Sequence, residues 1–306
     1  MKKILTLSLL LISLGSLAQK IDVSLNLKLD STYYLTEDAN LTIIQDINGQ
    51  EQMISTLIGA RVAHKVIAIN GTVYQMEIQY LSMNMHVEMG GKKIDFDSND
   101  KDSSNIFSKI MASVLNKPFL MTIDKKGKVL EIKNSEELYL HMFDNVPQIS
   151  EEKKAQFKTQ MEQSFGAKAF KSNFQDAFAM LPPGKVGPGD TWVTNNKMES
   201  VITEDIKTTY TLQGITDDAI LINGDAVVQP DNNTGFKQLN GMSVRVSNIN
   251  GTATSKLKLD KNTGWISEAK VSKVIKSTVE IQASPKMPGG MTFPMSVNAD
   301  IMMSSK

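Results

Sequence analysis

Residues 72–89 read TVYQMEIQYLSMNMHVEM, and this stretch decides the predicted fold. Its apolar residues start on even positions and end on odd positions: Tyr74, Met76, Ile78 and Tyr80, then Leu81, Met83, Met85, Val87 and Met89. Side chains of a strand alternate between two faces, so a strand changes its apolar face only at a bulge or bend. We therefore predict one long strand with a bulge near Tyr80–Leu81. At about 3.3 Å per residue it would extend roughly 60 Å, and a strand of that length has to curve.

The rest of the chain also carries signals of antiparallel β-structure. Five Asn-Gly pairs predict hairpin turns, at Asn48, Asn70, Asn223, Asn240 and Asn250. Two-residue alternation predicts strands at Val23–Leu29, Trp265–Ile281 and Met291–Met303, with shorter strands at about 32–36, 41–47, 51–58 and 61–69. Pro294 lacks an amide hydrogen, so the last strand is predicted to lie at a sheet edge or to contain a bulge.

Two stretches with helical spacing interrupt the strands. Ser103 or Ser104 is expected to cap a helix that carries the apolar residues from Ile106 to Leu115, and Pro118 ends it. A second helical block begins after Asn134 and continues past Gly166. Its last part places Phe170, Phe174 and Phe178 on one face, which is expected to pack against the concave side of a bent sheet.

These elements predict an α+β fold that is predominantly antiparallel β, a strongly curved sheet or incomplete barrel with helices against its concave face. A Pro/Gly-rich connector divides the chain. The predicted organisation is a first β-rich half at 19–181, the connector at 182–192, and a second half at 193–306 packed with the first as one domain. Similar turns at Asp124–Gly127 and Asp260–Gly264 indicate a possible internal duplication.

The N-terminus has the pattern of a secretory leader. Lys2 and Lys3 precede an apolar run that ends at Leu17, and Ser16 and Ala18 are the small residues that a signal peptidase recognises. The run is too short for the roughly 20 residues of a membrane helix, so we predict that residues 1–18 are cleaved. The expected location is the periplasm or the extracellular space, with no transmembrane segment in the mature chain.

Composition excludes several classes of function. The 306 residues contain no cysteine, which rules out a lipid-modified cysteine, a thiolate metal site and a redox pair. Acidic and basic residues are balanced at 33 each, so there is no basic footprint for nucleic acid. The 18 methionines predict an adaptable apolar interior.

Two segments of the sequence partly match known metal-binding patterns. Methionines 83, 85 and 89 with His86 suggest a soft copper(I) site, but alternation points the methionines away from the histidine, so packing is favoured. The acidic loop from Asp95 to Asp102 starts like a calcium loop. It has Asp100 in place of the required glycine and Ile106 in place of the bidentate glutamate, so a solvated loop is favoured. No metal and no cofactor is predicted.

No catalytic constellation stands out. The three histidines, at 64, 86 and 141, occur without an HExxH pattern or an adjacent nucleophile, and a structural role is favoured for each. The chain is therefore predicted not to be an enzyme.

The lysine-led leader, the openings Asp30-Ser31-Thr32-Tyr33 and Asp190-Thr191-Trp192, and the connector resemble an uncharacterised family of exported proteins from Bacteroidetes-type bacteria. The resemblance spans most of the mature chain and implies an envelope location without an assigned activity. A fainter likeness, of architecture alone, is to periplasmic lipoprotein carriers of the LolA type, in which a curved sheet surrounds an apolar cavity.

The main functional hypothesis is noncatalytic binding of an apolar or amphipathic ligand, such as a lipid. The predicted ligand cavity is lined by seven residues: Met76, Ile78, Met83, Met85, Phe170, Phe174 and Phe178. The same residues could instead fill a dry core, and a cavity of roughly 300 Å³ or more separates the two. The alternative is a structural or protein-interaction component of the envelope that pairs with a partner protein through a strand edge such as Met291–Met303.

Overall fold

The structure is a computed structural model, and it describes most of the chain after the predicted leader. The described residues are 20–100, 105–140, 142–143, 150–152, 154–155, 158–159, 162, 166–199, 203–230, 235–239, 241–284 and 287–305. The leader, Ser103, Ser104 and His141 lie outside them. None of the helices among these residues has both the length and the apolar composition of a membrane span.

Strands dominate the described residues. They are β1 (Ile21–Asp22), β2 (Thr32–Ile47), β3 (Gln50–Asn70), β4 (Val73–Met89), β5 (Lys92–Asp97), β6 (Phe119–Asp124), β7 (Val129–Lys133), β8 (Lys185–Val186), β9 (Thr191–Glu199), β10 (Thr203–Ile215), β11 (Ala219–Pro230), β12 (Lys237–Leu239), β13 (Met242–Asp260), β14 (Ile266–Ile281) and β15 (Met291–Ser304). The helices are α1 (Ile106–Val114), α2 (Glu137–Leu140) and α3 (Ala167–Phe178).

One mostly sequential, antiparallel sheet of 13 strands contains both predicted halves of the chain. Its order is β7-β6-β4-β3-β2-β15-β14-β13-β11-β10-β9, with β5 added to β4 and β12 added to β13. The β2–β15 pairing joins the first half to the last strand. The end strands β7 and β9 do not pair with each other, so the sheet is not closed.

Helix α3 contacts both ends of this sheet. On the β7 side, Gln175 Oε1 accepts from Val129 N–H at 2.8 Å, and Lys171 Nζ donates to the Leu130 carbonyl at 2.9 Å. On the β9 side, Ser172 Oγ donates to the Lys197 carbonyl at 3.0 Å. Polar side chains of one helix thus satisfy backbone groups at two strand edges, and this protects both edges from pairing with another chain. A 13-stranded sheet whose two ends meet the same short helix cannot be flat.

Strand β4 contains the predicted bulge. In the β3–β4 pairing Val62 lies opposite Tyr80 and Arg61 lies opposite Ser82, so Leu81 is the additional residue. The Tyr80 carbonyl accepts from Asn116 N–H at 2.9 Å, outside the ladder. The alternation switch in the sequence is therefore confirmed as a β-bulge, and it brings Met83 to the same face as Tyr80.

The N-terminal segment corrects one predicted strand. Val23, Leu25 and Leu27 are buried as their alternation suggests, but only Ile21–Asp22 pairs as a strand, with β8. The segment is held instead by turns, since Leu25 N–H donates to the Lys125 carbonyl and Asn26 N–H donates to the Thr263 carbonyl, both at 2.8 Å. Alternating apolar residues show that one face of a segment is buried. Here that face is buried although residues 23–29 pair with no neighbouring strand.

The two turns that resemble each other in sequence both hold this segment. Gly264 in the second turn has φ +67°, and a Cβ there would lie 2.3 Å from the Ser24 carbonyl oxygen. Glycine is required because the N-terminal backbone approaches so closely. The shared contact gives the two turns a common structural task, and the internal duplication stays a prediction.

Two of the predicted Asn-Gly hairpins are wrong. Asn48-Gly49 and Asn70-Gly71 lie at β2–β3 and β3–β4 turns, as predicted, whereas Asn223 and Asn250 lie inside β11 and β13. Gly224 is needed for packing rather than turning: a Cβ there would lie 2.7 Å from the Tyr210 ring.

The last strand is central rather than an edge. β15 pairs with β14 along its whole length and with β2 from Met295 to Ser304. Pro294 lies one residue beyond the β2 pairing, where its missing amide hydrogen leaves no gap in the ladder. The predicted docking edge at Met291–Met303 is therefore already occupied by strands of the same chain.

Candidate functional site

An apolar cavity of about 210 Å³ lies between β4, β5, α1 and α2. Ten residues line it: Tyr80, Met83, Met85, Phe96, Phe107, Ile110, Met111, Val114, Leu138 and Met142. We call it the methionine cavity, because four of the ten are methionines. Its accessible wall is entirely apolar.

The bulge in β4 and the placement of α1 build this cavity. Ser98 Oγ accepts from Met83 N–H at 2.8 Å, which ties the end of β5 to β4 just after the bulge. Ser108 Oγ in α1 then accepts from Asp97 N–H at 3.1 Å. Because α1 is fixed by its polar residues at the strand end, its apolar face lies over the methionines of β4.

The N-cap of α1 differs from the prediction. Asn105 is the cap, and its side-chain oxygen accepts from Ser108 N–H at 3.1 Å. Its side-chain nitrogen also donates to the Asp95 carbonyl at 3.2 Å. One asparagine thus both starts the helix and fastens it to β5, which either predicted serine would not do from its earlier position.

Phe107 connects the cavity with solvent. Its side chain is 49% exposed, and its ring centroid lies 5.0 Å from that of Phe96. An exposed aromatic side chain lowers solubility, and because Phe107 is only half-buried it adds little to the packing of the core. This position suits a residue at the cavity mouth.

The structure brings two of the seven predicted cavity residues into the cavity, Met83 and Met85. Met76 and Ile78 are fully buried in the main core. Phe170, Phe174 and Phe178 on α3 also belong to that core or pack against it. The predicted site is therefore divided between a cavity and a dry core.

The three phenylalanines of α3 pack on aromatic partners from the sheet. Phe170 stacks on Phe119 with ring centroids 4.8 Å apart, and Phe178 lies 5.3 Å from Trp265. His64 lies among them, 5.1 Å from Trp265, and neither of its ring nitrogens has a hydrogen-bond partner among the described residues. Burial lowers the pKa of His64 to about 4, so it is a neutral aromatic packing residue at pH 7.

The cavity residues that sequence reasoning missed come mostly from α1, α2 and β5. Ile110, Met111 and Val114 were recognised as an apolar helix face, but nothing in the sequence shows which strand they cover. The strongest signal for the cavity in the sequence was Phe107, an aromatic residue on the same helix.

A second interior region lies where α3 meets β10 and β14. Lys273 Nζ and Glu204 Oε2 form an ion pair of 2.9 Å, with side chains only 17% and 4% exposed. Asp176 on α3 lies close by, within 3.5 Å of Asn196 Nδ2. Burial raises the pKa of Asp176, and the Lys273 ammonium opposes that rise. We call Asp176, Glu204 and Lys273 the buried charge cluster.

Small residues make room for this cluster. Lys273 lies opposite Ala253 on β13, and Ala253 lies opposite Ala226 on β11. The lysine side chain can therefore lie over two methyl groups and reach β10, where Glu204 is located. Lys273 pairs with Glu204 and its charge also acts on Asp176, so we assign this region a structural role.

A wider groove of about 790 Å³ crosses β2, β15, β14, β13 and β11. Lys258 and Glu268 in its wall pair with each other at 3.6 Å, and Met302 is 57% exposed. The groove is shallow, and its charges alternate in sign along the strands. It offers no convergent set of groups for one ligand.

His86 and the neighbouring methionines lie on opposite sides of β4. His86 pairs with Asp95 on β5, whereas Met83 and Met85 line the cavity. No group of three or more histidine, cysteine or acidic residues suited to a metal ion occurs in the described part of the chain. The acidic loop is described only to Asp100.

The described elements define a mostly antiparallel β protein with one large open sheet and an apolar cavity at a bulge. Residues 71–266 match the family of unknown function DUF6263, and the chain belongs to that family. Membership in an uncharacterised family is thus confirmed, while export, the Bacteroidetes origin and the LolA likeness stay predictions. No curated protein matches the chain.

Similarity to solved structures is weak. An outer membrane channel from Pseudomonas putida F1 has 6% identity and a TM-score of 0.25, covering 91% of this chain and 97% of that chain. Salmonella typhi OmpF in complex with daunomycin has 8% identity and a TM-score of 0.22, covering 90% and 98%. TM-scores this low support no inference about this chain.

Proposed function

We propose that this protein is an exported, noncatalytic envelope protein that binds one slender apolar or amphipathic chain in the methionine cavity. The observation that carries the proposal is a wholly apolar cavity whose mouth holds the exposed ring of Phe107. Methionine side chains are long and flexible, so they can close around chains of different shape. In this proposal the bent sheet is the concave wall, and α1 with α2 covers it.

The cavity volume limits the ligand. At about 210 Å³ it falls below the roughly 300 Å³ set above as the size that separates a ligand cavity from a dry core, so we do not propose that it encloses a whole lipid. A double-chain lipid does not fit inside, and a carrier of lipoprotein acyl chains would need a larger hollow. A single unbranched chain that enters past Phe107 is the ligand class that remains.

The alternative, a protein-interaction component of the envelope, has less support. It relied on a free edge at Met291–Met303, and β15 is paired on both sides over most of its length. Both terminal strands of the sheet are in contact with α3. Pairing through a strand edge is therefore not the mode of action that we propose.

Methionine-methyl NMR tests the binding proposal directly. Protein labelled with ¹³C at the methionine methyls is titrated with decan-1-ol as a dissolved monomer. We expect shifts at the cavity residues Met83, Met85, Met111 and Met142. Met76 and Met121 in the dry core and the exposed Met53 and Met302 are internal controls. Shifts confined to the exposed pair, or no shifts at all, would contradict the proposal.

A blocked cavity gives the matched control. Val114→Phe places a ring in the cavity and is expected to abolish the shifts, whereas Val227→Phe, at an exposed position on β11, is expected to preserve them. Binding that survives Val114→Phe would place the ligand elsewhere.

Export is tested separately. The full chain expressed in a bacterium with an outer membrane is expected to appear in the periplasm or the medium with Gln19 as its first residue. Retention in the cytoplasm with residues 1–18 intact would refute this part of the proposal.

A further inference from the structure

Glu37 lies on the same side of the sheet as the methionine cavity. Cross-strand partners share a face, and the pairings place Met303, Glu37, Ala60 and Met83 in one row across β15, β2, β3 and β4. Glu37 therefore faces the interior side on which Met83 lines the cavity. Ala60, the residue between them, packs against the main core, and in this row only its methyl group separates Glu37 from Met83.

Glu37 has no ion pair and no hydrogen bond among the residues that the structure describes, although its side chain is partly buried. Lys273 and Glu204, by contrast, pair within the buried charge cluster. Even a partly buried carboxylate loses some hydration, and a cationic partner from outside the chain would offset that cost.

Tyr80 supplies a second polar group at this place. It lines the cavity, and Val62, its partner on β3, lies opposite Leu35, two residues from Glu37 on the same face of β2. Burial and the charge of Glu37 both raise the pKa of the Tyr80 hydroxyl, so it stays protonated. Burial, with a smaller effect of Asp38, also raises the pKa of Glu37.

We propose that Glu37 and the Tyr80 hydroxyl, which lie on the same face of the sheet beside the apolar wall of the methionine cavity, hold the head group of the ligand and select an amphipathic ligand with a cationic, hydrogen-bond-donating head group. This inference rests on the proposed function, because the apolar chain of the same ligand occupies the cavity. A carboxylate accepts hydrogen bonds and carries negative charge, so it favours a protonated amine and disfavours an anionic head. The site therefore selects alkyl amines over fatty acids.

Three probes with the same decyl chain separate the head group from the chain. Decylamine, decan-1-ol and decanoate, each as dissolved monomer at pH 7.5, are titrated calorimetrically into the full protein. The wild type is expected to bind decylamine roughly tenfold more tightly than decanoate, a difference typical of one charge-assisted hydrogen bond. Glu37→Gln is expected to remove most of that preference and to change decan-1-ol affinity by less than about twofold.

Asp38→Asn is the matched control. It removes the same charge from the neighbouring residue, whose side chain lies in the wide groove on the other face of β2. Asp38→Asn is expected to leave the amine preference within about twofold of wild type. If it lowers the preference as much as Glu37→Gln does, overall surface charge explains the preference and the inference is wrong.

The remaining outcomes separate this inference from the proposed function. If all three probes bind wild type equally, the cavity binds chains but Glu37 does not select the head group. If none binds, the proposed function itself fails. A second variant, Tyr80→Phe, is expected to weaken decylamine binding about threefold through loss of one neutral hydrogen bond. This variant keeps the inference testable if Glu37→Gln does not fold.

Discussion

The methionine cavity and the buried charge cluster both lie on the inner face of the sheet, and they use that face in opposite ways. The cavity has space and an accessible wall of apolar atoms, whereas the cluster has two carboxyl groups and one ammonium group in little space. Charges that pair inside a protein fix the positions of the elements that carry them. An apolar space bounded by flexible side chains does not constrain the positions of the surrounding elements in this way. The comparison predicts that breaking the cluster destabilises the fold more than changing the cavity wall does.

The largest effect is expected from the charge cluster. Lys273→Met leaves Glu204, which is 3% exposed, without its ion-pair partner. We expect a loss of about 3–5 kcal/mol in the free energy of unfolding, measured in urea at pH 7. Lys258→Met is the control, because its partner Glu268 is exposed. This variant should lose less than about 1 kcal/mol in the free energy of unfolding.

Equal losses in the two lysine variants would show that the cluster has no special structural role. The double variant Lys273→Met with Glu204→Gln provides a further check. It should recover much of the loss, because the charge left unpaired by the first substitution is gone.

The second prediction compares two methionines in strands. Met121 on β6 is fully buried in the dry core, whereas Met85 on β4 borders the cavity. Met121→Ala is expected to lower the free energy of unfolding by about 2–5 kcal/mol, since it creates a new void. Met85→Ala enlarges a space that already exists and is expected to cost about 1 kcal/mol. Urea unfolding of the two variants measures the difference, and similar losses would mean that the cavity is filled in solution.

The third prediction concerns His64 in the aromatic part of the core. Its folded-state pKa is about 4, below the value of about 6.5 in an unfolded chain. Between these values the unfolded state binds the proton more tightly, so stability falls as pH decreases from about 6.5 to about 4. The loss from this residue is expected to reach about 3 kcal/mol.

Urea unfolding at pH 7 and pH 4 measures this loss, and His64→Phe should remove it because a phenylalanine does not titrate. His86→Phe is the control, since His86 lies on the outer side of β4 beside Asp95. A pH dependence unchanged by His64→Phe would show that other groups cause it.

The sequence predicted those features that depend on alternation along a strand. The bulge at Leu81 and the inward position of Met83 and Met85 followed from the switch of apolar residues between even and odd positions. The strand over Ile266–Ile281 was found by the same rule. These features are local, because the pattern within one strand determines which face is buried.

Features that depend on two distant segments were not predictable in this way. The phenylalanines of α3 were correctly placed on one helical face, but the sequence did not show that Phe119 and Trp265 would meet them and leave no space. Asn223-Gly224 has the composition of a hairpin turn and lies in a strand, because Gly224 accommodates the ring of Tyr210. Contacts across the sheet decided both outcomes.

The smallest expected effect is a gain in stability at the cavity. Val114→Leu adds one methylene group to a wall of the cavity, where it can enter empty space, and should raise the free energy of unfolding by up to about 0.8 kcal/mol. The same substitution at Val66, which is fully buried in the dry core, should instead lower it by about 1–3 kcal/mol, because no space is available. If the cavity is empty in the free protein, thermal unfolding should show a higher Tm for Val114→Leu and a lower Tm for Val66→Leu than for the wild type. A loss at both positions would mean that residues around Val114 are packed as tightly as the core, and the ligand would then have to open the cavity before it could bind.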